Sequence, residues 1–153
     1  MKAGELKELL DIEFGFLDVT LESITELNAI IGSKQPDKFQ LAAMSKLLSD
    51  MYNGTENVLK RICKYLTVPL PTGGFYHTEL FLLFCKPPKN NCPLLFNDLI
   101  FDDYKALLKF RHYVIHGYAF QLEWNIIKNS VQRTGFMISH FKSNVLSFLK
   151  EII

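Results

Sequence analysis

Arg111 and His116 stand five residues apart in the segment Arg111-His112-Tyr113-Val114-Ile115-His116-Gly117-Tyr118. On a helix that separation is about 7.5 Å along the axis, a span an arginine side chain covers, so one phosphate can touch both guanidinium and imidazole. Cutting RNA without a metal needs a base near the ribose 2′-hydroxyl, an acid for the leaving 5′ oxygen, and positive charge on the five-coordinate phosphate. Arg and His supply these roles. A single His does not readily serve as base and acid at once, whereas two copies of the helix facing each other in a homodimer pool two His and two Arg. Attack by the 2′-hydroxyl leaves a 2′,3′-cyclic phosphate on one product and a free 5′-hydroxyl on the other.

Other residues of useful type surround this pair. His112 lies four positions before His116, a spacing that suits two metal ligands. No H-E-x-x-H pattern and no third ligand accompany them, so no metal is expected, and His112 is read as support that orients a phosphate or a neighbouring side chain. Glu56 follows Asn53 and Gly54, where a glycine admits close approach of another backbone. It is either a second support residue leaning into the cleft to orient His or Arg, or a solvated acid. His77 and His140 have no companions at useful spacing, and no catalytic role is expected of them.

The elements that must position these groups read as helices. Leu6, Leu9, Leu10, Phe14, Leu17, Leu21, Ile24, Leu27 and Ile31 recur at steps of three and four, predicting a first helix over Gly4 to Ile31. Gly32 and Ser33 stop it, and Pro36 suits the first turn of a second helix that runs to about Leu66. Pro69, Pro71, Gly73 and Gly74 mark a linker. A short helix over Tyr76 to Cys85 and another short element near Leu94 to Leu99 follow, separated by the break at Pro87 and Pro88. Asp102 and Asp103 favour the positive end of a helix that runs through about His116, with Gly117 loosening its end. A last helical region extends from Leu122 to the C-terminus, and Gly135 is a point where it can bend or stop. The fold class is all-α: an antiparallel bundle of about four to five main helices in one domain over 1–153.

Composition limits what such a bundle can bind. The 153 residues suffice for one core without disulfides or metals. A net charge of +1 argues against a broad nucleic-acid-gripping face, so any RNA contact is local. Cys63, Cys85 and Cys92 are odd in number and lack the close pairing of a zinc site, which suits structural thiols in a reducing, cytoplasmic setting. No run approaches the roughly 18 to 20 apolar residues of a membrane span, and the N-terminus does not read as a signal peptide. The 13 phenylalanines provide aromatic volume for a subunit interface as well as a core.

The segment Phe110-Arg111-His112-Tyr113-Val114-Ile115-His116-Gly117-Tyr118 resembles the R-x4-H-x-Y signature of HepT-like HEPN toxins. Phe120-Gln121-Leu122-Glu123-Trp124 and Tyr52-Asn53-Gly54-Thr55-Glu56 are also similar to this family. The resemblance implies a helical, cofactor-free ribonuclease that dimerises across the motif helix and attacks tRNA or mRNA. It further implies a toxin neutralised by a partner minimal nucleotidyltransferase, the antitoxin, which transfers AMP to a tyrosine beside the site, the dimer standing either alone or within a larger hetero-oligomer. By motif position Arg111 and His116 are the catalytic residues and Tyr118 is the motif tyrosine, with Tyr113 a second candidate for modification. An AMP group on either tyrosine puts a negative phosphate next to the Arg and His, where it competes with RNA. The alternative is a non-catalytic helical module that binds nucleotide or a nucleotidyltransferase.

Overall fold

The apolar spacing of the N-terminal half produces two long helices, α1 (Ala3–Ile31) and α2 (Lys38–Leu66), in a computed structural model that describes residues 1–153. Each has 29 residues, about 43 Å of rod. Asp37 caps α2: its carboxylate accepts from the backbone N–H groups of Phe39 (2.9 Å) and Gln40 (2.8 Å), and the Gln40 side chain accepts from Asp37 N–H. A cap of this kind is worth about 1 kcal/mol and fixes where the helix begins. Pro36 therefore precedes the cap and does not occupy the first turn, as its spacing had suggested.

The remaining helices are α3 (Tyr76–Leu83), α4 (Phe101–Ile115) and α5 (Trp124–Ile152), with one 3-10 turn at Ala119–Gln121 before α5. The chain is all-helical, as read from its periodicity, and its one bridge pairs Cys85 with Phe96. α2 is the axis of the bundle and packs against each of the other four helices. A single cluster of 36 buried apolar residues draws on all five. Across it, Arg133 of α5 clasps Asp103 of α4 through Nε (2.7 Å) and Nη2 (2.9 Å), a bidentate pair that fixes the start of α4.

Two stretches take a form that the sequence had left open. Leu94 to Leu99 form no helix: Pro93 removes a backbone donor, and the Leu95 and Phe96 N–H groups both donate to Phe84 O (3.0 and 3.2 Å). The strap is pinned further by Asn144 Nδ2, which donates to Leu95 O (2.9 Å). Phe96 then stacks on Phe141 (ring centroids 5.6 Å) and leans on Phe81 (4.6 Å) and Tyr104 (4.9 Å), so packing replaces helical hydrogen bonding as the reason for order. Gly135 neither bends nor stops α5, which runs through it without interruption.

Candidate active site

Position 111 is reached by the last turns of α4, whose buried face of Tyr104, Leu107 and Phe110 seats the helix in the core. Arg111 follows Phe110 at the edge of that face, half-buried. Its Nε donates to Asn53 Oδ1 of α2 at 2.6 Å, which leaves the two terminal nitrogens of the guanidinium for an anion. Asn53 was read only as an accompaniment to Gly54, and its role as the acceptor for Arg111 is new. Gly54 leaves room for the Leu17 side chain of α1: a Cβ at position 54 would come within 2.7 Å of Leu17 Cδ2, so the glycine lets α1 lie close against α2.

α4 ends in a Schellman arrangement. His116 is the C-cap, Gly117 takes φ +79°, Gly117 N–H donates to Val114 O (3.2 Å) and Tyr118 N–H to Tyr113 O (2.7 Å). The H-x-Y end of the motif is thus a helix terminus in which glycine suits the left-handed position. His116 is exposed there, its ring 4.4 Å from that of His112 between centroids. Ile115, Tyr118 and Phe120 around it are 55%, 50% and 76% exposed, an apolar rim with no partner in the protomer. Tyr113, by contrast, is half-buried and faces the groove between α3 and α4.

Glu56 is buried and not a solvated acid. Its carboxylate binds His77 Nδ1 at 2.8 Å and Lys60 Nζ at 3.4 Å, so it orients a histidine of α3; its partners do not include Arg111 or His116. His77 accordingly has the companion that its isolated place in the sequence had denied it. Since an ionised carboxylate only accepts, Nδ1 carries the proton and Nε2 stays free. Beside this pair, the buried Tyr52 hydroxyl has no protein partner, and burial holds its phenol well above the ordinary value, with the charge on Glu56 adding and that on Arg111 opposing. His140 lies against Phe136 on α5 (4.2 Å between rings), away from these groups in the chain.

A groove of about 700 Å³ runs between α3 and α4. Its walls bring together His77, Lys105, Lys109, Arg111, His112 and Tyr113, and no carboxylate lines it. Lys105, Lys109, His112 and His116 follow one another at steps of four, three and four, so they share one face of α4. That spacing was visible in the sequence and was passed over. The ion pair of Glu56 with His77, across 21 residues, and the bond from Arg111 to Asn53, across 58, carried no such local signal.

A family model described as HepT-like protein matches residues 43–152. The chain belongs to this HepT-like family, of the HEPN superfamily. The match takes in Asn53, Glu56, His77, Arg111, His116 and Tyr118, and leaves out all of α1. No curated protein and no solved structure matches the chain. Membership gives the HepT-like chain a toxin-like, nuclease-related setting. No helix is long and apolar enough to cross a membrane.

Proposed function

We propose that this HepT-like chain is the toxin of a toxin–antitoxin pair: a metal-independent endoribonuclease, acting as a homodimer on tRNA or mRNA, that a minimal nucleotidyltransferase silences by AMP transfer to a tyrosine. The observation that carries the reading is Arg111, aimed by Asn53 and left with two free guanidinium nitrogens, on the same helix end as the exposed His116. The guanidinium charge suits the dianionic five-coordinate phosphate, and an imidazole takes the 2′-hydroxyl proton. The second proton, onto the departing 5′ oxygen, comes from the His116 of a second copy. Pairing is favoured by the apolar rim of Ile115 and Phe120, which association would remove from water.

The two tyrosines differ in access. Tyr118, half exposed just past the C-cap, is open to an incoming enzyme, whereas Tyr113 reaches the groove beside Lys109 and Arg111. Modification of either adds a phosphate next to Arg111 and competes with RNA for the same charge. Mass analysis of Tyr118→Phe and Tyr113→Phe variants, each made together with the nucleotidyltransferase, identifies the acceptor. Finding neither modified in a neutralised complex removes that part of the reading.

The reaction itself is tested by incubating RNA with the protein in EDTA and analysing the ends. Products with 2′,3′-cyclic phosphate and 5′-hydroxyl termini are expected, and activity abolished by chelation rejects the mechanism. Replacement of His116 by Ala separates the enzyme from a module that only binds, because a pure adaptor keeps its cellular effect.

A further inference from the structure

The groove between α3 and α4 is larger than one phosphate needs, and its chemistry is one-sided. Lys105, Lys109 and Arg111 provide three cations along its α4 wall, no carboxylate lines it, and Glu56, which holds His77 in the opposite wall, is buried and occupied by His77 and Lys60. In a protein whose net charge is +1, such a local concentration of unopposed positive charge marks a seat for a polyanion. The stripe from Lys105 to His116 spans about 16 Å of helix, longer than a single phosphate contact. On the opposite lip Phe75 is 76% exposed, an aromatic face with nothing covering it. Phe101 and Phe81 form the apolar floor, and the Lys105 ammonium lies 6.0 Å from the Phe101 ring centre. Cations along one wall and an open aromatic ring along the other are what unpaired nucleotides require, since a base inside a duplex has no free face to stack.

Resting on the ribonuclease reading above, we propose that this groove holds the single-stranded RNA that leads to His116, with its phosphates on Lys105, Lys109 and Arg111 and one base stacked on Phe75. His77, clamped by Glu56 through Nδ1, keeps its ring fixed in the groove wall and offers Nε2 as a hydrogen-bonding partner to the strand. The arrangement makes the protein selective for loops and unpaired ends over helical RNA.

The test uses the full chain and a short fluorescein-labelled 2′-O-methyl oligoribonucleotide, which lacks the attacking hydroxyl and stays intact while its anisotropy is read. Lys105, Lys109 and Phe75 are exposed, so Lys105→Ala/Lys109→Ala and Phe75→Ala leave the core untouched, as circular dichroism melts check. The double lysine variant is expected to bind at least about tenfold more weakly and to flatten the slope of log affinity against log salt by about two. Phe75→Ala is expected to weaken binding by about tenfold with little change in that slope. Wild-type protein that does not bind the probe, that binds a duplex of the same sequence as tightly, or whose affinity is indifferent to both substitutions overturns the proposal. So does a loss confined to nucleotidyltransferase binding. Cleavage of unmodified RNA is scored separately: a chain that binds through the groove and cuts nothing defeats the ribonuclease reading and leaves the groove assignment standing.

Discussion

The two ends of the R-x4-H segment are built differently. Arg111 is half-buried and held from α2 by Asn53, whereas His116 sits on an exposed helix terminus amid the exposed side chains of Ile115, Tyr118 and Phe120. The charge is preorganised by the fold of one chain. The imidazole has only its own turn and His112 for support, so its final environment is left to whatever covers the rim. Within one short segment the fold holds the guanidinium and leaves the imidazole exposed; in the reaction proposed above, the first is the electrostatic group and the second the proton-transfer group.

The largest expected effect tests the exposed end. His116→Ala removes the proposed proton-transferring group and is expected to lower RNA cleavage roughly 10²- to 10⁴-fold with little change in melting temperature, since the side chain is exposed. A variant that cuts normally breaks the comparison, because the exposed end then does no chemistry. Asn53→Ala tests the fixed end: the guanidinium loses the acceptor that aims it, and cleavage is expected to fall roughly 100-fold. Asn53→Asp, which keeps an acceptor for Nε, is expected to restore much of it. Equal rates for Asn53→Ala and wild type would show that Arg111 needs no orientation.

Gly117→Ala sharpens the comparison by acting on the turn alone. A side chain at φ +79° costs about 1 kcal/mol and shifts His116 and Tyr118 together, so a small drop in stability with a larger drop in cleavage is expected. Gly135→Ala is the control, because a Cβ there meets nothing within 4 Å and helix propensity alone favours alanine. The smallest effect near neutral pH comes from the buried thiols. Burial pushes Cys63 and Cys85 up from an ordinary value near 9 to about 12, so the folded state retains protons that the unfolded chain releases. Stability is therefore complete below about pH 9 and declines as pH rises toward 12. Urea melts across that range check the sign, and the folded protein is expected to resist thiol reagents until it unfolds.

Legibility in the sequence followed the range of the interactions. The long helices were plain because Leu6 to Ile31 and Met44 to Cys63 repeat at helical spacing, a signal contained within each element. The H-G-Y terminus was readable for the same reason: a glycine after the last apolar residue is a local device. The strap through Leu95 and Phe96 was legible only as a short element of no stated kind, because its order comes from Phe81, Tyr104 and Phe141, side chains of other elements. Arg111 and His116 were singled out by type and spacing, but Asn53 and His77 were undervalued, since neither has its partner within one helical turn. Each became significant only when α2 was laid against α4 or α3.

The bond from Asn53 to Arg111 also has a consequence in time. A ribosome adds residues in order, and the acceptor exists long before the arginine that uses it, 58 positions later. No truncated product ending before α4 can carry the aimed guanidinium, and a released N-terminal fragment is inert with respect to it. Whatever depends on the aimed guanidinium therefore begins only once α4 has been made and has met α2.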